Sequence, residues 1–283
     1  MLARAAGVAP RDVGAAGRKD RVAVATQWLS VPCLDPEAAL RLELPGVRVL
    51  EAVRHPHKLR TGQLRGNRFR ILLRAVDEPG AIRARARAEV VLRRGMRNRF
   101  GEQRFGSDGE NARRGLRLLG GSPRAALRDR RRARFLLSAL QAAVFNDVLA
   151  ARGEEFDRLL DGDVAVVHAS GGLFRVEDAA VEAARAAAFE ISATGPIFGT
   201  RAPEPGGAVA LRERAVLEAH GIPEPLRPPR GIPLRGARRA LRVRPEELAL
   251  DRSEAGLELR FALPAGSFAT VLLDELLGPA DAR

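Results

Sequence analysis

Residues 67–76 read NRFRILLRAV. Period two puts Asn67, Phe69, Ile71, Leu73 and Ala75 on one face and Arg68, Arg70 and Arg74 on the other, the pattern of a half-buried β-strand. Asn67 and Phe69 therefore point the same way. The following stretch, Gly80 to Arg94, predicts an Arg-rich helix stopped by Gly95. Upstream, GAAGRKDR (14–21) is turn-rich, VAVATQWLSV (22–31) and VRVLEAV (47–53) predict strands, and PEAALRLE (36–43) predicts a short helix with Pro at its start. Residues 1–12 resemble the later part of a helix, stopped by Gly7 and Pro10.

Downstream, MRNRFGEQRFGSDG (96–109) is a loop dense in Gly, Arg and Phe. It precedes a long amphipathic helix with Leu136, Leu140, Ala143 and Val148 on one stripe and a stop at Gly153. The second half predicts a strand at DGDVAVVHA, an Ala-rich helix over 177–189, a loop at TGPIFG (194–199) and a helix over 209–220. GIPEPLRPPRGIP (221–233) has the composition of a linker. Strands follow over 238–244 and 257–263, and Ser267 is placed to cap a final helix ending at Gly278. This order predicts an α+β domain interrupted by a second unit, with the last strands returning to the first.

The chain has 283 residues, 46% of them apolar, enough to bury one large or two modest cores. Its one cysteine, Cys33, excludes a disulfide framework and a cysteine-based zinc site, and is expected to serve as a small apolar residue. The most apolar stretch, 135–151, is broken by Ser138, Gln141, Asn146 and Asp147, and the first residues lack a signal peptide's apolar run. The expectation is a cytoplasmic protein without a membrane partner. Residues 1–150 carry 31 basic and 14 acidic groups, whereas residues 151–283 carry 17 and 21. An excess confined to one half suits a surface that meets polyphosphate, although overuse of Arg explains part of it. Of the 48 cations only Lys19 and Lys58 are lysines, which suggests positions where a compact ammonium is wanted.

Metal and nucleotide chemistry find no support. His55 and His57 lack a nearby Cys or carboxylate in sequence, so contact with phosphate or solvent is the better reading, and no metal site is expected. Neither GxxxxGK[ST] nor a strand-linked GxGxxG occurs, so no nucleotide cofactor is expected. Asp20, in GRKDR, is flanked by Arg18, Lys19 and Arg21. A carboxylate among cations is held ionised and can act as a nucleophile at a sugar or base carbon. On spacing alone, the plainer reading of Asp20 as the neutralising group of a basic turn is the stronger.

AGRKDRVAVATQW (16–28) resembles the signature of the TruD family of tRNA pseudouridine synthases. RHPHKLRTGQLRGNRF (54–69), NRFGEQRFG (98–106), LSALQAAVFNDVLAAR (137–152), TGPIFG (194–199) and LPAGSFATVLLDEL (263–276) resemble further family blocks in family order. The resemblance implies isomerisation of a tRNA uridine, at position 13, to its C-glycoside, without cofactor or metal and by a monomer. It implies Asp20 as nucleophile, attacking either the ribose or the uracil ring. Asn67 and Phe69 would hold the flipped base, consistent with the stacking that a phenyl face offers to any base. Lys19, Arg21, Lys58 and Arg104 would bind substrate, and the Arg-rich stretches 54–70 and 93–104 would hold phosphates. Gly101, Arg104, Phe105 and Gly106 form either an RNA-facing loop or a hinge, while Ser267 and Thr270 suit a helix cap and first turn.

The implied fold is a pseudouridine-synthase catalytic domain, 1–95 with 238–283, whose mixed, mostly antiparallel sheet is flanked by helices. An α/β domain, 96–237, is inserted into it. Family members carry an upstream segment with an NPEDF-like motif and a Lys near the active site, and the chain opens just before the catalytic block. That departure keeps a second reading open, a noncatalytic tRNA-binding protein.

Overall fold

The computed structural model describes residues 1–17, 19–20, 22–120, 129–229 and 231–278. They fall into two compact units, Met1–Asn67 and Arg68–Arg283.

The first unit contains α1 (Leu2–Ala5), β1 (Gly14–Ala15), β2 (Leu29–Ser30) and α2 (Pro36–Leu40), and ends within β3 (Gly66–Leu73). Asp35 caps α2 by accepting from the Glu37 amide at 2.9 Å, with Pro36 in the first turn. The strands expected over 22–31 and 47–53 shrink to Leu29–Ser30 and a single bridge, Leu44 to Val47. Valines favour a strand only where a neighbouring strand receives them. Among the described residues only Gly14–Ala15 pairs with 22–31, and Val22 and Val24 stand fully exposed. Trp28, the chain's single tryptophan, is also exposed, as is Cys33, against the apolar role expected for it. Buried apolar side chains in this unit are limited, among the described residues, to Ala3 and Ala39. Hydrogen bonds rather than a hydrophobic core give the unit its shape.

The second unit opens with α3 (Glu78–Arg94), capped by Asp77 and closed by Gly95 at φ +83°. Ala81, Ala84, Ala88 and Val91 form its buried stripe, leaving most of its arginines outward. Then come β4 (Met96–Arg97), α4 (Asn111–Gly120), α5 (Arg130–Ala151), β5 (Val164–Val167), β6 (Leu173–Arg175), α6 (Ala179–Ala187) and β7 (Ile191–Ile197). The chain ends with α7 (Gly207–Ala219), β8 (Ala237–Ala240), β9 (Arg242–Val243), β10 (Glu246–Ser253), β11 (Gly256–Pro264) and α8 (Ala269–Leu277). The sheets run β10-β11-β3, β4-β9 and β6-β5-β7-β8, with antiparallel pairing between β10 and β11, between β4 and β9, and throughout the four-stranded sheet. This is the expected α+β class.

The cores divide along the chain. One, built on α3, β11 and α8, draws its buried residues from 81–96 and 243–276. The other two lie within 119–241. Helix α5 feeds both of these, Phe145 and Leu149 entering one and Leu137, Leu140 and Val144 the other. Its buried face is therefore broader than the single expected stripe, and Leu136 and Ala143 are only partly buried. By length and composition α5 could cross a membrane, but these two cores absorb its apolar side chains.

Two segments of the insertion differ from the sequence expectation. TGPIFG is not a loop at its start, because Thr194 to Ile197 pair with β8 in register Thr194↔Ala240 to Ile197↔Ala237. Pro196 is tolerated there because β5 pairs only as far as Ala193, leaving β7 one neighbour beyond that point. The described residues of the Pro-rich passage are packed rather than free, with Ile232 buried and Ile222 and Leu226 against the same core. Its prolines stop helix and strand, while its aliphatic residues dock.

His168, just past β5, bonds through Nε2 with Ser192 Oγ at 2.9 Å and stacks on Phe189 at 5.6 Å. Burial, and then the charge of Arg242, holds its imidazole below the usual histidine range. The unfolded chain therefore takes up this proton more readily than the native one, and stability falls as pH drops through about 6.5. Urea unfolding from pH 7.5 downward is expected to show a falling midpoint in the wild type. The decline should be smaller in His168→Gln, and parallel curves for the two proteins would remove His168 as its source.

Candidate functional site

In the first unit the two bridges of β1 with β2, Gly14↔Ser30 and Ala15↔Leu29, close a loop over residues 16–28. Position 14 admits only glycine, since a Cβ there would lie 2.4 Å from both Leu59 O and Ser30 Oγ. That close approach seats 58–62 beside the base of the loop, where the Leu59 amide donates to Ser30 Oγ at 2.9 Å and the Gly62 amide to Ala16 O at 2.9 Å. Farther out, Lys19 Nζ donates to Asn67 Oδ1 at 2.8 Å. Asp20, the next residue, is exposed and makes no side-chain hydrogen bond or ion pair among the described residues.

Of the three cations expected around Asp20, the described residues include only Lys19. Lys19 reaches Asn67, and Arg18 and Arg21 lie outside the described residues. Lys58 donates to the Arg11 carbonyl. Both lysines thus end on a single amide oxygen, a use that suits a point-charge donor better than a planar fork. His55 and His57 are exposed, with His55 Nδ1 taken by the His57 backbone amide at 3.1 Å. No group of His, Cys, Asp and Glu among the described residues could hold a metal.

Strand β3 has the alternation read from the sequence. Asn67, Phe69, Ile71 and Leu73 are half-buried and Arg68 and Arg70 exposed. Phe69 stacks on Phe261 of β11, with ring centroids 5.2 Å apart, and packs against the core of α3, β11 and α8. The ring is therefore part of the packing whatever its other face meets.

Much of the expected phosphate surface is already neutralised. Arg54 pairs with Asp35 at 2.9 Å, Arg68 with Glu247 at 2.6 Å, Arg70 with Glu258 at 2.8 Å, Arg97 with Glu154 at 3.1 Å and Arg99 with Asp274 at 2.5 Å. Arg94 is held by both Asp157 and Glu154, which raise its guanidinium above the usual range. Spacing along the chain cannot show these pairs, because every partner but Asp35 lies more than fifty residues away.

The loop of residues 98–106 is locked rather than hinged. Asn98 is buried, donating from Nδ2 to Ala240 O at 2.9 Å and from its amide to Leu241 O at 2.8 Å. Phe100 exchanges two hydrogen bonds with the Asn146 side chain, at 2.8 and 3.0 Å. A Cβ on Gly101 would stand 3.1 Å from Thr270 Oγ1. Ser267 does not cap α8, whose first flanking residue is Phe268, and its hydroxyl instead meets Asn98 Oδ1 at 3.3 Å.

Arg104 lies between the Phe100 and Phe135 rings, 5.8 Å from each centroid, and burial lowers its guanidinium below the usual range. Arg239 of β8, missed as a site residue from sequence, lies 4.2 Å from the same Phe100 centroid. Burial, then repulsion from Arg104, lowers Arg239 to about 10. The available signal was ARRALRVR (237–244), four arginines with no acid among them.

A family model described as tRNA pseudouridine synthase D (TruD) matches residues 1–130 and 125–276. A tRNA pseudouridine synthase D of Anaeromyxobacter dehalogenans is 46% identical over 97% of this chain and 80% of its own length. Those of Thermus thermophilus and Geotalea daltonii are 42% and 38% identical, covering 96% and 98% of this chain and 75% and 85% of themselves. The crystal structure of a Methanosarcina mazei TruD protein superposes with a TM-score of 0.75 at 20% identity, covering 98% of this chain and 84% of that one, a likeness that concerns the fold.

Half-buried Phe69 should cost about 2–3 kcal/mol on replacement by Ala, below the range for a fully buried ring. Phe69→Leu should cost less than about 1.5 kcal/mol. Chemical denaturation of the two variants measures this, and equal stability of Phe69→Ala and wild type would contradict the packing described.

Proposed function

This chain belongs to the TruD family of tRNA pseudouridine synthases, and from that premise we propose that it isomerises a uridine of tRNA, at position 13, with Asp20 as nucleophile. The supporting observation is the Lys19–Asn67 hydrogen bond, which ties the loop bearing Asp20 to the start of β3. Exposure of Asp20 suits a group that must meet a base brought out of its stack. Asn67 and Phe69 hold that base, the amide on its polar edge and the phenyl ring on its face. Lys19 sets the position of Asn67, while Arg21, Lys58 and Arg104 bind the RNA.

In the reaction the bond between ribose C1′ and uracil N1 breaks and one between C1′ and C5 forms. The hydrogen of C5 leaves as a proton and N1 gains one, so the product is an isomer and no oxidant, metal or cofactor takes part. Asp20 carries the nucleophilic step, and the base turns in place before the new bond closes. Residues 96–237 act as an inserted domain, a division supported by the change of core near Met96 and Val243. The protein works in the cytoplasm as a monomer.

Release of tritium from tRNA labelled at uridine C5 tests this directly. Wild type should release label. Asp20→Asn should slow release by roughly a thousandfold or more while still binding tRNA. Phe69→Leu should slow it about ten- to a hundredfold, the loss of one stacking contact, with affinity little changed. A wild type that binds tRNA without releasing label would instead identify a noncatalytic binding protein, and full turnover by Asp20→Asn would remove it as nucleophile.

A further inference from the structure

The two arginines that lie against Phe100 pair with no carboxylate among the described residues. Arg104 pairs with no acid and its guanidinium donates no hydrogen bond among the described residues, its Nε being buried without a partner. Arg239 donates from Nε to Asn98 O at 3.1 Å and from Nη2 to Asn98 Oδ1 at 2.5 Å and Gly266 O at 2.9 Å. Those acceptors are uncharged, and Nη1 is left over. It lies next to exposed Gly266, where a Cβ would stand 3.4 Å from it. A glycine there, at φ +85°, keeps the approach to this nitrogen open.

The neighbouring loop arginines, Arg97 and Arg99, are each matched to an acid, Glu154 and Asp274. The missing acid sets Arg104 and Arg239 apart from these two neighbours. Two like charges partly removed from water, on one aromatic ring, lack the counter-charge that makes burial favourable. A phosphate oxygen accepts from guanidinium N–H groups in a charge-assisted hydrogen bond, often two at once.

We propose that Arg104 and Arg239 form a binding site for a backbone phosphate of the RNA, with Arg239 a phosphate ligand held ready by Asn98 and Gly266. The identity of the anion rests on the tRNA-modifying function proposed above. The site reads no base; it fixes the register of the RNA on the protein, as phosphate contacts do.

Anisotropy titration of unmodified tRNA against wild type, Arg104→Gln and Arg239→Gln, between about 50 and 200 mM KCl, tests the site. Each substitution should weaken binding by about tenfold and reduce the slope of log affinity against log salt by about one. Arg239→Gln also removes the bonds to Asn98, so Arg104→Gln, which breaks no hydrogen bond, is the decisive variant, with its fold checked by thermal melting. Unchanged affinity and slope in a folded Arg104→Gln, on a wild type that binds tRNA with steep salt dependence, overturn the phosphate site and leave the proposed function intact. A wild type that fails to bind tRNA overturns both.

Discussion

Buried Asn98 is the constraint on which the second unit's geometry depends. Its backbone amide and side-chain amide bond to consecutive carbonyls, Leu241 and Ala240, at the end of β8, and its carbonyl and Oδ1 accept from Arg239. Ser267, in the turn before α8, reaches the same Oδ1. One short side chain thereby joins the loop of residues 98–106, the last strand of the four-stranded sheet and the entry to the final helix. A buried amide left without these partners would be strongly unfavourable, so the three segments are fixed together or not at all. Phe100 can then present one ring to both Arg104 and Arg239.

Charge serves two purposes here. Most arginines near β3 and β4 are consumed in pairs with acids brought from distant parts of the chain, Glu154, Glu247, Glu258 and Asp274 among them. The large excess of cations in residues 1–150 therefore overstates the charge available to a ligand. Exposed pairs of this kind add little stability each, but they leave the unmatched guanidiniums distinct from the rest. Which guanidiniums are paired and which are not, only the folded chain shows.

Legibility from sequence followed the length scale of the interaction that fixes each element. The alternation of β3, the stop of α3 and the stop of α5 depend on neighbours a few residues apart, and all were readable. The strands expected over 22–31 and 47–53 were not, because a strand is a property of two segments and the partner was absent among the described residues. Asn67 and Phe69 were correctly placed on one face, yet the stacking of Phe69 on Phe261 joins residues almost two hundred positions apart. Asp20, Lys19 and Asn67 emerged as candidates from motif resemblance. The bond between Lys19 and Asn67, and the role of Arg239, needed coordinates.

The chain contains one tryptophan and no tyrosine, and Trp28 lies exposed in the small first unit. Intrinsic fluorescence excited near the red edge of protein absorption therefore reports on residues 1–67 and is blind to the larger unit. Because that unit has almost no apolar core, its emission and the far-ultraviolet dichroism of the helices in the second unit give separate optical channels for the two parts of the molecule. The loop that carries Asp20 thus holds its own label, eight residues away, and changes around it can be followed in the unmodified protein.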